Sequence, residues 1–311
     1  MPLIISPKKM FLEHLIMSKI KYILYPMSDT RIRKAVIPAA GWGTRFFPMT
    51  KAQPKEMLPV VDKPVIQYVV EEAVRSGCDD ILIITGKNKR AIEDHFDSSP
   101  ELKAHLQKSG EKELLAECEA LENLADIHYI RQKEQKGLGD AVLCAERHCG
   151  DEPFTVLLGD TFCIPHKNKM DCPAQMIRAY EKYHKPIIAV EPVPYNKIKD
   201  YGIIGGPQIS GNIYEIEEMV EKPNPENAPS NLGAIGRYLL EPEIFDRLRE
   251  ITPGKKGELQ LTDALQLLNK PYGLVAECKR YDIGDKLGWV MANMELLKAS
   301  SVYKSAFDAK D

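Results

Sequence analysis

Nowhere in the 311-residue sequence do apolar residues run uninterrupted for the roughly 18 to 20 positions that a membrane span needs. An excess of one charge is missing as well. The 42 Lys and Arg residues face 45 Asp and Glu, a formal net charge of −3. That balance argues against a nucleic-acid coat or a membrane-surface protein, which draw on a strong basic excess. The seven cysteines (78, 118, 144, 149, 163, 172 and 278) are odd in number and include no CxxC pair. They read as reduced thiols of a cytoplasmic protein, with neither a disulfide framework nor a zinc site expected. No G-x-S-x-G elbow occurs, and no Cys sits in a catalytic context. His95, His128, His148, His166 and His184 lack ligand or triad spacing and read as surface or structural residues.

What is present is ordinary globular composition, 44% hydrophobic and 28% charged. The length suits one large domain or two medium ones. Residues 1–30 differ in texture. Phe11, Leu12, Leu15, Ile16, Ile20, Ile23 and Leu24 recur at helical spacing, with Lys9, Glu13, Lys19 and Lys21 between them. Charges interrupt the apolar run and no small-residue cleavage site follows, so a secretory signal is not expected. The segment is taken as an N-terminal extension of unknown role: either a basic amphipathic helix that lies on a membrane or docks on a partner, or a non-essential extension with Met17 or Met27 as the working start.

From Lys34 onward, short apolar runs alternate with helical periodicity. AVIPAAG (35–41), ILIITG (81–86), IHYIRQ (127–132), FTVLLGD (154–160) and IIAVEPV (187–193) read as strands. Helices are predicted over Pro64 to Gly77, over a long stretch from a Ser99-Pro100 start to about Ala125, and near 138–148, 172–184, 258–270 and 285–300. A strand is predicted near 273–278. Gly, Pro and Asn turns around short strands, such as IYEIEEMV (213–220), mark a β-rich portion at about 195–240. The rhythm predicts an α/β fold: a mixed, mostly parallel, Rossmann-like sheet between helices. Residues 31–311 are expected to form a single domain.

The most informative stretch is AAGWGTRFFPMTKAQPKEMLPVVDK (39–63). A Gly-rich turn after a strand lets backbone N–H groups approach phosphate oxygens. Gly41 and Gly43 supply that turn, and Arg45, Lys51 and Lys55 follow. Residues 31–63 hold seven Lys or Arg and two acids, a local charge of +5. Neither nucleotide fingerprint fits. Phe46 stands where the dinucleotide pattern wants a third Gly, prolines intervene before any helix, and the Walker Gly-Lys-Ser/Thr is absent. A nicotinamide oxidoreductase is therefore disfavoured. What remains is a basic loop suited to phosphates.

GWGTRFFPMTKAQPKEMLPVVDKP resembles the signature of the sugar-nucleotide pyrophosphorylases, the sugar-1-phosphate nucleotidylyltransferases. The resemblance extends through RQKEQKGLGDAV (131–142), LLGD (157–160), YGIIG (201–205), MVEKP (219–223), NLGAIGRY (231–238) and YDIGDKLGW (281–289), so it covers about residues 34–300. Within the family the motifs look most like members that make UDP-glucose from UTP and glucose 1-phosphate. The resemblance implies Mg²⁺ as cofactor, no nucleic-acid partner, and a homodimer or homotetramer.

It also implies roles. Arg45 would stabilise the leaving pyrophosphate and Lys55 would contact the α-phosphate region. Asp160 and Asp282 would hold metal, while Asp285 reads as the cap of the following helix. Ala40, Gly41, Gly43, Glu56, Gln132 and Gly137 would bind the nucleotide. Gln132 offers one donor and one acceptor, matching O4 and N3–H of uracil. Asp140 and Gln135 differ from the residues expected there. Lys222 would meet the sugar phosphate, Glu221 the sugar hydroxyls, and Gly202 and Ala234 would present backbone groups to the hexose. The rival readings are a thymidylyl- or other nucleotidylyltransferase, and a sugar-nucleotide-binding regulator without catalysis.

Overall fold

Short β-branched runs form the strands. β1 is Lys34–Pro38, β2 Pro59–Val60, β3 Lys63–Pro64, β4 Asp80–Thr85, β5 Asp126–Arg131, β6 Phe154–Leu157, β7 Thr161–Pro165 and β8 Ile187–Pro192. β9 is Gly202–Gly205, β10 Gln208–Ser210, β11 Ile213–Glu215, β12 Glu218–Glu221, β13 Leu232–Leu240, β14 Tyr272–Val275 and β15 Cys278–Asp282. This computed structural model describes residues 31–254 and 257–300. The N-terminal segment 1–30 lies outside the described residues.

The main sheet runs β10-β11-β14-β8-β13-β6-β1-β4-β5, with β9 pairing on β13 and β12 on β9. Tracing the pairings, β1, β4, β5, β6, β8, β9, β10 and β14 point one way, and β11, β12 and β13 the other. The sheet is therefore mixed: eight of its eleven strands share one direction, as the alternating pattern predicts, but its ten pairings divide into four parallel and six antiparallel because β11, β12 and β13 run against the rest. β7 and β15 form a separate antiparallel ladder, and β2 and β3 a small ribbon.

The two-residue period of the strands sorts side chains between two cores. Val36, Leu82 and Ile84 face one core, with Ala141, Val142, Ile244 and Leu248 against them. Ala35, Ile37, Ile81 and Ile83 face the other, with Ile66, Val69, Val70 and Ala73. The second set comes from helix α1, Val65–Arg75, which starts after Pro64 and stops before Gly77 at φ 98°. Gly77 takes the position after the C-cap that the sequence suggests, whereas Pro64, expected in the first turn, stands just before it as the extended N-cap residue.

Other boundaries differ. α2 is Arg90–Phe96. The long helix expected from Ser99 to Ala125 is two, α3 (Pro100–Ser109) and α4 (Lys112–Glu122), because Gly110 takes φ +79° and turns the chain. Ser99 does not cap with its side chain; its backbone N–H donates to Glu122 Oε1 at 2.8 Å. IYEIEEMV is likewise two strands, β11 and β12. The strand expected near 273–278 is the end of β14 and the start of β15. α5 (Leu138–Leu143), α6 (Glu146–Cys149), α7 (Cys172–Tyr183), α8 (Glu243–Glu250), α9 (Leu261–Gln266) and α10 (Lys286–Ala299) complete the described helices. The Asp285 side chain accepts from Gly288 N at 2.8 Å and caps α10 as expected.

Candidate active site

The site is built along one edge of the sheet. β1, β4, β5, β6 and β8 end there, and antiparallel β13 begins there, with Leu232 opposite Pro192. Ligands of open α/β sheets bind at this carboxyl edge.

After β1 the basic loop folds through three short turns, Thr44–Phe46, Met49–Lys51 and Lys55–Met57. Phe46 is fully buried and anchors it. Gly43 sits at φ +68°, and Thr50 Oγ1 donates to its carbonyl at 2.7 Å. The fold of the loop carries Lys55 back over Gly41, where a Cβ would stand 3.8 Å from Lys55 Nζ. Lys55 Nζ then meets Asp160 Oδ2 at 2.5 Å. Lys51 is exposed and faces solvent.

Asp160 follows β6, and its carbonyl accepts from Ile283 N at 2.9 Å. That bond sets Asp160 and Asp282 side by side at the end of the β7–β15 ladder, where Asp282 pairs with Thr161. Arg45 reaches the same place. A Cβ added to Gly284 would lie 2.7 Å from Asp282 Oδ1 and 3.6 Å from Arg45 Nη1. Loop cations and strand-end carboxylates thus converge on one centre. Each carboxylate commits an oxygen to a cation, Asp160 Oδ2 to Lys55 and Asp282 Oδ2 to Arg280 at 2.8 Å. Each has a second oxygen beyond that bond. Hard oxygen donors of this kind suit a divalent cation that keeps several waters.

Burial opposes charge on both partners of the Lys55–Asp160 pair, and their mutual attraction overcomes it. Lys55 is held above the usual lysine value, with Glu56 helping, and Asp160 below the usual aspartate value. The depressed Asp160 contributes fully above about pH 3.8, and the contribution is lost as pH falls through its lower folded value. The raised Lys55 contributes fully below about pH 10.5, and this is lost as pH rises through its higher folded value. The pair is thus ionised throughout the neutral range. A carbon-detected NMR titration should show no step at the Asp160 carboxyl between about pH 5 and 9; a step there contradicts the assignment.

Arg237 supports this centre from below. It is fully buried, and its Nε and Nη2 donate to Glu72 Oε1 and Oε2 at 2.9 and 2.8 Å. Nη2 also donates to the Thr161 carbonyl at 2.6 Å, one residue past Asp160. Glu72 Oε2 accepts in addition from Cys163 N at 3.0 Å. One guanidinium therefore ties α1, β13 and β7 together. Burial raises the Glu72 carboxyl against the pull of Arg237.

At the ends of β4 and β5 lie the residues expected at a nucleotide base. Gln132 is buried, and its Nε2 donates to Asp140 Oδ2 at 2.6 Å and to the Gly137 carbonyl at 3.2 Å. The sequence offers Gln132 as both donor and acceptor to a base. In the fold, Asp140 and Gly137 take the donor end, which leaves the amide oxygen to accept an N–H. Gly137 is needed as glycine, since it sits at φ +100° and a Cβ would come within 2.6 Å of the Leu259 carbonyl. Gln135 Nε2 donates to the Ala40 carbonyl at 2.5 Å. Gln135 Oε1 is buried without a partner, an acceptor placed beside the nucleotide loop.

The remaining residues gather where β9, β12 and β13 meet. Gly202 pairs with Glu221. A Cβ on Gly202 would lie 3.2 Å from both Glu221 Oε2 and Thr262 Oγ1. Thr262 Oγ1 donates to that Glu221 oxygen at 2.6 Å, and Lys222 Nζ to Oε1 at 2.7 Å. Ala234 follows Leu232 and Gly233, which pair with Ile204 and Ile203 of β9, so it advances toward Gly202. Lys222 is exposed and takes φ +47°, a backbone state a lysine rarely adopts.

Arg280 links the two halves. It donates to Asp282 at one end, and to Glu191 Oε1 at 2.8 Å and Tyr201 Oη at 2.5 Å at the other. Tyr201 precedes Gly202, and its carbonyl accepts from Lys222 N at 2.9 Å. The sequence reading missed Arg280, as it missed Arg237, Thr262 and Lys89; no local motif singles them out. Glu56 sits under the loop rather than on its open face. It is 1% exposed and accepts from buried Lys89 Nζ at 2.7 Å. Its charge reaches the centre through neighbouring Lys55. The fold brings together the other expected residues in two adjoining groups: Ala40, Gly41, Gly43, Arg45, Lys55, Gln132, Gly137, Asp160 and Asp282, and then Gly202, Glu221, Lys222 and Ala234.

A Gly-rich basic loop and paired carboxylates on the carboxyl edge of such a sheet define a class, and residues 34–299 match the nucleotidyl transferase family model: the chain belongs to that family. Its relatives make the kinship narrower. A UTP–glucose-1-phosphate uridylyltransferase of Bacillus subtilis is 53% identical over 268 residues, spanning 85% of this chain and 91% of that protein. UTP–glucose-1-phosphate uridylyltransferase 2 of Staphylococcus saprophyticus is 52% identical over 279 residues, 88% of this chain and 95% of that one. The crystal structure of a UDP-glucose pyrophosphorylase complexed with UDP-glucose superposes with a TM-score of 0.80 at 43% identity, covering 87% of this chain and all of that one.

Proposed function

We propose that this protein transfers a uridylyl group from UTP to glucose 1-phosphate, giving UDP-glucose and pyrophosphate. The observation that carries the reading is the meeting of Lys55, Arg45, Asp160 and Asp282 at one strand-end centre, beside a Glu221–Lys222 group suited to a phosphorylated sugar.

The reaction brings two anions together and expels a third, so the obstacle is charge. Lys55 neutralises the α-phosphate region, and Arg45 takes charge developing on the leaving pyrophosphate. Asp160 and Asp282 would hold Mg²⁺, which would supply further neutralisation of the phosphate charge. Gln132 accepts the N3–H of the base, with Ala40, Gly41, Gly43 and Gly137 forming the backbone wall of the nucleotide site. Lys222 swings from Glu221 to the sugar phosphate, freeing Glu221 to accept from hexose hydroxyls beside Gly202 and Ala234. Orientation and neutralisation do the work, and the sugar phosphate oxygen itself attacks the α-phosphorus. Residues 195–240 are the sugar-binding portion of a single domain spanning 31–311. The protein works in the cytoplasm as a homodimer or homotetramer. Among the described residues, no helix is long and apolar enough to cross a membrane.

The test is a panel of UTP, dTTP, ATP, GTP and CTP with glucose 1-phosphate and Mg²⁺, read by pyrophosphate release. UTP should be the fastest, with UDP-glucose as product. Uracil and thymine share the N3–H, so faster release from dTTP moves the assignment to thymidylyl transfer. Release with none leaves only the non-catalytic regulator. The Lys222→Ala variant should raise KM for glucose 1-phosphate about 10-fold or more, the worth of one charge-assisted hydrogen bond, and KM for UTP less than about 3-fold. Equal losses for both substrates would contradict the role.

A further inference from the structure

Spacing in the chain gives no reason to expect a thiol site, yet three cysteines from three separate elements meet in the fold. Cys163 lies in β7, Cys172 opens α7, and Cys278 opens β15. Their Sγ atoms all lie within 4.8 Å of one another. None is in a disulfide, and the proposed reaction uses none of them. Cys163 and Cys172 are buried, and Cys278 is half-buried. We propose that this trio is a binding site for one thiophilic cation of the Zn²⁺ class, held by three sulfurs and separate from the Asp160–Asp282 centre.

The dimensions suit it. Three sulfurs held about 2.3 Å from one ion in a tetrahedral array stand about 3.8 Å apart, so the trio needs only a small contraction. Ligand softness sorts the two sites, since thiolates select Zn²⁺ and carboxylates select Mg²⁺. A way in exists. Cys278 lies in the wall of an open cleft of about 650 Å³ that His166, Glu191 and Glu277 also line. The fourth coordination position is filled from that cleft by water.

The ligands bind as thiolates, so uptake of the ion releases protons. The ladder adds a consequence. Cys278 pairs with Pro165 at one end of β7–β15 and Asp282 with Thr161 at the other. An ion on the sulfurs would close the end away from the carboxylates.

The experiment uses the full chain, reduced, stripped with a chelator and kept free of Mg²⁺. Zn²⁺ is titrated in competition with a chromophoric chelator at pH 6 and at pH 8. One ion should bind, more weakly at pH 6 than at pH 8, because the ligands bind as thiolates. Zn²⁺ at about 100-fold over its Kd should raise the melting temperature by about 5 °C. Cys278→Ser should weaken binding at least about 10-fold. A second readout needs no variant: Cd²⁺ should give a sulfur-to-metal charge-transfer band and shield the half-buried Cys278 from alkylation. Absence of stoichiometric Zn²⁺ binding, absence of the Cd²⁺ band, or unchanged affinity in Cys278→Ser would each overturn the proposal. So would formation of a disulfide within the trio under mild peroxide by a protein that binds no Zn²⁺.

Discussion

Asp160→Asn should lower kcat by about 10²- to 10³-fold, the usual cost of removing one preorganised charge from a reacting centre. The substitution keeps shape and leaves an oxygen that still accepts from Lys55. What it removes is the negative charge that holds Lys55 and that, with Asp282, is proposed to draw a divalent cation. Lys55 keeps Glu56 as a second anion nearby, so its own charge survives. The melting temperature should therefore stay within a few degrees of the parent. Steady-state kinetics beside a thermal melt check both halves. A near-normal rate would refute the metal role, and a collapse in stability would recast Asp160 as a structural partner of Lys55.

The largest effect on stability belongs to Arg237→Met. The side chain removed is fully buried, and it makes four hydrogen bonds, two to Glu72 and two to backbone carbonyls. Without it the Glu72 carboxylate keeps only the Cys163 N–H and must protonate or stay charged in an apolar setting. Breaking a buried pair from one side costs about 3–5 kcal/mol. For a domain of this size that lowers the melting temperature by about 10 °C. Changing Glu72 to Leu in the same molecule should recover much of the loss, because no orphaned charge remains. Denaturant unfolding of the single and double variants measures this. A loss below about 1 kcal/mol in Arg237→Met would mean that the pair is not the brace described.

Much of this was legible in the sequence where local chemistry decides. Strands announce themselves as β-branched runs, α1 by the Pro64 and Gly77 that bound it, and α10 by its Asp285 cap. The Gly-rich basic loop marks the edge of the sheet that carries the site. Pairing across the chain was not legible. Arg280 joins Asp282 to Tyr201 and Glu191 through contacts that only the β8, β9 and β15 arrangement creates. Glu56 looks like another site residue in PKEMLP, but its place under the loop depends on Lys89, 33 positions away. Gln132 shows its type in sequence, but its offered atom is set by Asp140. The split of the 100–125 helix was missed because helical periodicity resumes at once after Gly110.

The central claim is that this centre aligns and neutralises two phosphates without a covalent protein intermediate. Exchange of labelled pyrophosphate into UTP, with Mg²⁺ present and glucose 1-phosphate rigorously absent, tests it most directly. Direct displacement predicts no label in UTP until UDP-glucose is supplied. Exchange in its absence would reveal a uridylylated side chain and contradict the account.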